Sequence, residues 1–353
     1  MILVVNAGSS SIKVALFQPD LTEVMAGQVS GIGGPLAHIT LGTHDKDIAA
    51  PDHDAALSAI LGSLSAQGIT ADTLTAAAHR VVHGGTSLVQ PCRITDDVIA
   101  GIEAATPLAP LHNPNNLAGI RALQKLAPDL PQYASFGTAF HATNPPVATT
   151  YAIPKKDRDM GIRRYGFHGL SYAWIVTQFE DRLPDRLLAF HLGSGASLCA
   201  IHKGKSVATS MGYSPLDGLT MGTRSGAIDG MAVLRMAEIH GAAEASRRLN
   251  KDSGLKGLGG ANDMRLLLAA DTDQANFAVD HFCYWAARHA GSAVVAMGGL
   301  DAVAFTGGIG QNSADIRDRI MAHLAFLGDV PVHVINADEE RQIALDATSI
   351  ASA

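Results

Sequence analysis

Two arginines of this 353-residue chain lie beside glycines and other small residues. Arg80 lies in segment 79–85, and Arg224 lies in segment 221–226. Phosphoryl transfer requires cations aimed at the phosphoryl oxygens and little covalent chemistry, and the planar guanidinium fork suits that task. A surface salt bridge is the alternative for either arginine taken alone. Together, the two arginines indicate a candidate phosphoryl-transfer site.

Two histidines could assist such a transfer. His168 lies between two glycines, where it could donate a hydrogen bond to a phosphoryl group. His112 lies just ahead of a helix predicted over 116–127, which Asn113 would cap and Pro114 would open. The partial positive charge of that helix N-terminus would favour an anion near His112. A structural role is the alternative for each histidine.

Other common phosphate and metal motifs are absent from the sequence. There is no P-loop of the G-x-x-x-x-G-K-[ST] kind and no protein-kinase signature, so ATP would require another binding solution. His79 and His83 have the spacing of a helical zinc pair, but the valines between them predict a strand. We therefore do not assign a metal to these two histidines.

The elements that must position these residues begin with a predicted β-hairpin. An apolar run at 2–5 leads into the small residues 6–11 and then the alternating segment 12–16. The same order of strand, glycine turn and strand recurs at 187–201, and aligning Gly8 with Gly193 gives an offset of 193 − 8 = 185 residues. This offset, about half the chain, indicates a duplicated domain. The alternative is chance coincidence of two common glycine turns.

A third glycine turn, residues 306–310, follows a strand-like segment at 302–305. After the turn, Asn312 or Ser313 is expected to cap a helix with an apolar stripe of Ile316, Ile320 and Leu324. A strand, a glycine turn and a helix together allow backbone amides to approach a nucleotide. Alone, the pattern is also typical of glycines that merely turn the chain.

Length and composition limit the remaining possibilities. A chain of 353 residues, 47% hydrophobic and 17% charged, is expected to form two domains with a cleft between them. The net charge of −7 and the lack of a basic run argue against a nucleic-acid partner. The three cysteines have no zinc or disulfide spacing, and no segment reads as a signal peptide or membrane span. We therefore expect a cytoplasmic protein that does not bind membranes.

Eight segments resemble those of acetate kinases and occur in the same order. They are distributed along most of the chain, at 4–11, 79–85, 109–114, 138–141, 163–169, 191–193, 210–226 and 305–312. Each motif is modest, but eight in register identify the chain as similar to this family. The resemblance implies an α/β fold of duplicated ribonuclease H-like domains, as in actin and sugar kinases, with the active site in an interdomain cleft. We expect an N-terminal lobe of 1–140 plus 341–353 and a C-terminal lobe of 141–340.

The resemblance also implies a reaction and residue roles. The reaction is reversible Mg²⁺-dependent (or Mn²⁺-dependent) phosphoryl transfer from ATP to acetate, or alternatively to propionate or another short-chain acid, by a homodimer. Catalysis is implied for Arg80, His112, His168 and Arg224, and metal binding for Asn6 and Glu339. The acid is expected on Arg80, Val82, Leu111, Phe167 and Pro215. The nucleotide is expected near Ser10, Lys13, His191, Gly193, Ser194, Gly195, Asn262, Asp263, Met264, Arg265, Gly308, Ile309 and Asn312.

The chain departs from the family pattern at four positions in or beside these segments. Gly137 stands where the family has an aspartate thought to act at the metal and phosphoryl site. Ser194 replaces an asparagine, Tyr172 replaces a histidine, and Gln311 replaces a glutamate. Two hypotheses follow: an active acyl kinase that lacks this aspartate, or a weakly active or inactive paralogue that binds nucleotide.

Overall fold

The computed structural model describes residues 1–352 and is a mixed α/β protein. Its strands, in chain order, are β1 (Ile2–Ala7), β2 (Ser11–Phe17), β3 (Glu23–Ser30), β4 (Ala37–Leu41), β5 (His44–Ile48), β6 (Ala76–Val81), β7 (Cys92–Arg93), β8 (Gln132–Phe136), β9 (Arg186–Leu192), β10 (Ala196–His202), β11 (Lys205–Thr209), β12 (Ala302–Thr306) and β13 (Val332–Val334).

The α-helices, in chain order, are α1 (His53–Ala66), α2 (Asp96–Ala104), α3 (Asn113–Leu126), α4 (Pro146–Thr149), α5 (Lys155–Asp159), α6 (Gly169–Thr177), α7 (Gly230–His240), α8 (Ala242–Lys251), α9 (Gly254–Gly259), α10 (Met264–Ala270), α11 (Asp273–Met297), α12 (Gly307–Asn312), α13 (Ala314–His323) and α14 (Glu339–Ala351). Short 3-10 helices occur at Ala71–Thr73, Thr106–Leu108, Ala139–Thr143, Glu180–Arg182 and Ala325–Leu327. Within residues 1–352, no helix combines the length and apolar character needed to cross a bilayer.

The chain divides into two compact units. Unit 1 consists of Met1–Phe140 together with Asp338–Ala353, and unit 2 consists of His141–Ala337. The return to unit 1 begins at Asp338 rather than at 341, because the whole of α14 packs on strands of unit 1. Glu339, a predicted metal ligand, therefore belongs to the same unit as Asn6 and Arg80.

Unit 1 contains an eight-stranded sheet in the order β5-β4-β3-β2-β1-β6-β8-β7. β1 pairs antiparallel with β2 and parallel with β6, and β8 pairs parallel with β6. The consecutive residues Leu3, Val4 and Val5 are each at most 1% exposed, so both faces of β1 are covered. Helices α3 and α14 both pack against β1 and β6.

Unit 2 contains a five-stranded sheet in the order β11-β10-β9-β12-β13. Helix α11 packs against β9, β10 and β11, while α6 and α12 pack against β9 and β12. Thr272 begins α11 as its cap, since its hydroxyl accepts a hydrogen bond from the Ala275 amide at 3.2 Å. Gly298, at a φ of 73°, ends that helix in the left-handed conformation that glycine adopts without strain.

The two sheets share a five-strand arrangement that confirms the predicted duplication. In unit 1 the order β3-β2-β1-β6-β8 has antiparallel pairs up to β1 and parallel pairs after it. In unit 2 the order β11-β10-β9-β12-β13 repeats this sequence of pair types. The two predicted hairpins are β1–β2 and β9–β10.

The predicted helix caps have mixed outcomes. Ser313 caps α13 by accepting from the Ile316 amide at 3.4 Å, which confirms one of the two predicted caps. The prediction that Asn113 caps α3 is wrong. His112 is the cap residue, without a side-chain cap bond, and Asn113 is the first helical residue. The physical reason is that the Asn113 side chain bonds instead to the backbone of His83.

Candidate functional site

In unit 1, Arg80 and Glu339 contact each other. Arg80 lies near the end of β6 and Glu339 is the first residue of α14, and the Arg80 Nε lies 3.3 Å from the Glu339 Oε2. The side chains are 23% and 20% exposed, so the pair is largely shielded from solvent. Unit 1 therefore joins a predicted oxyanion-binding cation and a predicted metal ligand through one hydrogen-bonded ion pair.

Two asparagines of α3 hold the chain that follows Arg80. Asn116 accepts from the Val82 amide at 3.1 Å and donates to the Ala7 carbonyl at 2.8 Å. Asn113 accepts from the His83 amide at 3.2 Å and donates to the His83 carbonyl at 2.9 Å. These buried bonds satisfy backbone groups at the last residue of β1 and just beyond the end of β6. They fix the position of Val82 relative to β1.

The other predicted residues of unit 1 lie on the loops and strand ends of its sheet. Asn6 is on β1 and is paired with the exposed Lys13 of β2, with Ser10 in the turn between them. Leu111 is 74% exposed, and His112 beside it is also exposed.

Gly137 directly follows β8 and lies tightly against the chain after β6. Its amide donates to the Val81 carbonyl at 2.8 Å. A Cβ atom added to Gly137 would lie 2.9 Å from the carbonyl oxygen of Val82. Because that neighbour is backbone rather than a flexible side chain, any larger residue at 137 requires the chain to shift. The local structure is therefore fitted to glycine, and an aspartate at this position would have to displace the backbone at Val82.

In unit 2, His168 lies at a distinctive turn before α6. It has a φ of 56°, in the left-handed region, and it follows Gly166 at a φ of 83°. Its ring stacks on His191 of β9, with centroids 4.2 Å apart. His141 supports the turn by donating from its Nε2 to the Phe167 carbonyl at 2.9 Å, and burial lowers the pKa of His141 to about 4.

Arg224 and His168 face the same glycine. A Cβ atom on Gly195 would lie 2.8 Å from the Arg224 Nη2 and 3.2 Å from the His168 Nε2. The Arg224 Nη1 donates to the Pro215 carbonyl at 2.6 Å, and burial lowers the pKa of its guanidinium from the ordinary value. A guanidinium remains protonated at neutral pH in proteins. A cation and an imidazole nitrogen thus converge on one backbone position.

A pocket of about 620 Å³ in unit 2 is lined by most of the predicted nucleotide residues. Its walls come from the glycine turn after β9, the start of α10, and α12. The predicted residues lining it are Gly193, Ser194, Asp263, Met264, Arg265, Gly308, Ile309 and Asn312. Asn262, also expected near the nucleotide, lines the pocket too, together with Leu268 and Ser313, which were not predicted. Their closeness to predicted positions was the only signal that could have indicated them.

Backbone geometry explains the glycines of this pocket. Gly307 has a φ of 79°, and a Cβ there would lie 2.6 Å from the Leu192 carbonyl oxygen. The Gly193 amide donates to the Gly195 carbonyl at 2.9 Å, which closes the turn between β9 and β10. Glycine thus allows α12 and this turn to approach each other closely enough to form one wall.

Three other predicted residues of unit 2 lie outside the pocket lining. The His191 Nδ1 and the Ser171 hydroxyl share a hydrogen bond of 2.8 Å, and the His191 ring stacks on His168. Phe167 is only 5% exposed within this unit. Pro215 contributes its carbonyl to Arg224 rather than only an apolar surface.

The donor chemistry of unit 1 fits a magnesium ion that is delivered with a nucleotide. No group of three or more His, Cys, Asp or Glu side chains able to hold a metal occurs among the described residues. Mg²⁺, however, is commonly bound by one or two carboxylates, with waters and substrate phosphates completing its shell. The Glu339 carboxylate and the Asn6 amide oxygen, both in unit 1, are donors of that kind.

A carboxylate of unit 1 that was not predicted from the sequence contacts the strand next to that of Arg80. Asp346 on α14 accepts from the Ser135 hydroxyl at 2.7 Å, and Ser135 is the β8 partner of Arg80 across the sheet. Burial raises the pKa of Asp346 from its ordinary value. Only the helical spacing of apolar residues on α14, which predicts a packed face, hinted that this residue is partly buried.

Residues 1–350 match the profile of the Acetokinase family. Among curated proteins, the chain is 44% identical over 352 residues to an acetate kinase of Rhodopseudomonas palustris, covering 93% of this chain and 87% of that protein.

Two solved structures with clear sequence similarity have nearly the same fold. An acetate kinase of Porphyromonas gingivalis superposes with a TM-score of 0.93 at 33% identity, covering 99% of both chains. A propionate kinase of Francisella tularensis gives 0.92 at 35% identity, covering 98% of both chains. A putative N-acetylmannosamine kinase of Listeria monocytogenes, at 0.51 and 12% identity over 99% of both chains, is similar in fold alone.

Proposed function

The chain belongs to the acetokinase family, and on that premise we propose that it is an acetate kinase. It would transfer the terminal phosphoryl group of ATP to acetate, giving acetyl phosphate and ADP, and would run the reverse reaction. An acetate oxygen bonds to the γ-phosphorus as the bond from that phosphorus to the ADP oxygen breaks. Acetate is already ionised at neutral pH, so the reaction needs no general base.

The convergence of Arg224 and His168 on Gly195 is the observation that carries this proposal. Gly193 and Ser194, in the same turn as Gly195, line the pocket of about 620 Å³. A nucleotide held in that pocket would have its phosphates close to a guanidinium group and an imidazole nitrogen. Prearranged charge and hydrogen bonding at the transferring group are the main sources of catalysis in phosphoryl transfer.

The remaining candidate residues have roles that match their chemistry. In unit 1, Arg80 would neutralise the acid's carboxylate and the phosphoryl oxygens, and His112 would contribute hydrogen bonding nearby. Val82, Leu111, Phe167 and Pro215 would surround the acid's methyl group. Adenosine would contact the stretch 263–265, Gly308, Ile309 and Asn312, while Ser10, Lys13 and His191 would contact the phosphates.

We propose Mg²⁺, or Mn²⁺ in its place, as the metal, with Glu339 and Asn6 as the protein donors. When bound with ATP, the ion supplies neutralisation of phosphate charge. Glu339 would then bind the metal. Arg80 would be released from its ion pair with Glu339 and would contact the substrates. The ion pair supports this proposal because it holds the two side chains close together in unit 1.

The decisive experiment measures acetyl phosphate formed by the purified protein from ATP, Mg²⁺ and acetate, trapped with hydroxylamine. Arg224→Ala should lower kcat/KM by a factor on the order of 100 to 1,000. Arg121→Ala is the matched control, because Arg121 is an exposed arginine in an ion pair with Glu103. Wild-type protein that binds ATP but forms no acetyl phosphate would instead establish the nucleotide-binding paralogue, for which Gly137 is the supporting observation.

The preferred acid is a separate question, for which propionate is the second candidate. The likeness to the propionate kinase of Francisella tularensis supports it. One methylene changes binding in an apolar pocket by about 1 to 3 kcal/mol. Comparing kcat/KM for acetate, propionate and butyrate therefore decides it, and acetate is expected to give the highest value.

We also propose a homodimer. Helix α7 of unit 2 has no buried residues, and Met231, Leu234 and Ile239 on it are 70%, 56% and 57% exposed. This apolar surface suits a second copy of the chain. Leu234→Glu should shift the sedimenting species from dimer to monomer. Leu36→Glu, at a leucine of unit 1 that is 61% exposed, should not.

The cytoplasm is the proposed location. Cys92, Cys199 and Cys283 are unbridged, as expected in a reducing compartment. Fractionation of cells that express the natural gene, with antibody detection, would test this, and recovery in the extracytoplasmic fraction would contradict it.

A further inference from the structure

Three side chains of unit 2, those of Tyr172, Ser197 and His168, are joined by consecutive hydrogen bonds. The Tyr172 hydroxyl lies 2.5 Å from the Ser197 Oγ, and the Ser197 Oγ lies 2.8 Å from the His168 Nδ1. Tyr172 and Ser197 are both completely buried. Tyr172 lies one turn along α6 from His168, and Ser197 lies on β10. The packing of a helix on a strand therefore assembles this relay from two distant parts of the sequence.

The acidities of the two hydroxyls give the relay a direction. A phenol ionises near pH 10 and is a better proton donor than an aliphatic alcohol. The Tyr172 hydroxyl is therefore expected to donate to the Ser197 oxygen. Ser197 has one proton, which it can then donate to the His168 Nδ1. In this arrangement Nδ1 is the acceptor, and the proton of the neutral imidazole is on Nε2.

The Nε2 of His168 faces the candidate reaction site. It lies 3.2 Å from the position that a Cβ on Gly195 would occupy, and the Arg224 Nη2 lies 2.8 Å from that position. A proton on Nε2 would therefore point to the same region as the guanidinium of Arg224. A proton on Nδ1 would leave a lone pair there, which would repel a negatively charged phosphoryl oxygen.

We propose that Tyr172 is a positioning residue that, through Ser197, holds the His168 ring in the tautomer with its proton on Nε2. The kinetic consequence of this role rests on the proposed function, but the tautomer itself can be measured without turnover. The neighbouring residue Ser171 bonds to His191 at 2.8 Å, and His191 stacks on His168. Two consecutive residues of α6 thus orient the two stacked rings.

Nitrogen-15 NMR of the imidazole rings tests the tautomer directly. In the wild-type protein, the His168 signals should show a protonated Nε2 and an unprotonated Nδ1. In Tyr172→Phe, which retains the ring but removes the hydroxyl, both signals should move toward the values of a tautomer mixture. His168→Gln identifies the signals. Unchanged His168 signals in Tyr172→Phe would overturn the proposal, whether or not the protein proves to be an acetate kinase.

Kinetics provide the second readout. Tyr172→Phe and Ser197→Ala should each lower kcat about tenfold with little change in the KM for acetate or ATP, as expected for one lost hydrogen bond that acts in the transition state. The double variant should lose no more than either single variant, because both act through His168. Tyr133→Phe is the control, since Tyr133 is a buried tyrosine of unit 1 outside the relay. Full additivity of the two losses, or an unchanged kcat in both single variants, would overturn the role. Two independent variants keep the test available if one of them folds poorly.

Discussion

The guanidinium of Arg80 is hydrogen-bonded to the carboxylate of Glu339, across 3.3 Å between Nε and Oε2. These residues are 259 positions apart in sequence, and the last helix brings them together in unit 1. Glu339 is also in the first turn of α14, where the helix dipole favours a negative charge. The pair therefore holds the Glu339 side chain at the position proposed to bind the metal.

Replacing Glu339 by glutamine should affect metal dependence far more than stability. Glu339→Gln removes the proposed metal-binding charge, so we expect kcat to fall by a factor on the order of 100 and half-saturation to require more Mg²⁺. The free energy of unfolding should change by only about 1 kcal/mol, because glutamine still offers Arg80 a hydrogen-bond acceptor. Activity against Mg²⁺ concentration and urea denaturation measure the two effects. Glu103→Gln, at a surface ion pair, is the control. Wild-type Mg²⁺ dependence in Glu339→Gln would contradict the assignment.

Adding one methyl group at Gly195 should impair catalysis without unfolding the protein. In Gly195→Ala the new Cβ would displace the ends of the Arg224 and His168 side chains, which can move. We expect kcat/KM to fall about 10- to 100-fold, because small misplacements of catalytic groups are costly. Steady-state kinetics and thermal unfolding report the effects. Gly291→Ala, on α11 with open space around it, should retain full activity. Unchanged kinetics in Gly195→Ala would show that this convergence is not used.

Substitutions at Gly137 separate steric effects from charge. Gly137→Ala and Gly137→Asp should both lose about 1 to 3 kcal/mol of unfolding free energy, because each places a Cβ against the Val82 carbonyl. Urea denaturation measures the loss. If the natural protein is active without an aspartate here, Gly137→Asp should not exceed it in acetyl phosphate formation. Activity that appears only in Gly137→Asp would overturn the proposed function in favour of the nucleotide-binding paralogue.

Two buried histidines should make the protein sensitive to acid. Burial lowers the pKa of His79 and of His141 to about 4, whereas an unfolded histidine titrates near 6.5. Between those values the unfolded state binds more protons, so stability falls as the pH drops from about 6.5 to 4. Each histidine can contribute up to about 3 kcal/mol to that loss.

Urea denaturation across this pH range, with His79→Gln, tests this expectation. The variant should show a shallower fall in unfolding free energy than the wild type. The exposed His323, replaced by glutamine, should leave the slope unchanged, since it lies on the surface of α13. An identical slope in His79→Gln and the wild type would contradict the assignment.

Local features of the fold could be predicted from sequence where a short segment contains the whole signal. The hairpins β1–β2 and β9–β10 follow from apolar runs joined by small residues, and the Ser313 cap follows from its position before an apolar stripe. The start of α3 was predicted incorrectly, because the competing partner of Asn113 is the backbone of His83, thirty residues away in sequence. A capping rule considers only neighbours along the chain.

The candidate site likewise combines residues that single motifs indicate with contacts that only chain packing creates. Residue types and glycine spacing, together with the family resemblance, indicated Arg80, Arg224 and His168, because these signals lie within single motifs. The Arg80–Glu339 pair, the shared approach of Arg224 and His168 to Gly195, and the Tyr172–Ser197–His168 relay join residues from separate motifs. The sequence by itself determined the family, the duplicated pattern of strands and the residues that carry charge. Only the tertiary structure decided which of those groups touch and that a side chain at position 137 would press on the Val82 carbonyl, because hydrogen bonds and steric contacts depend on distances that chain packing sets.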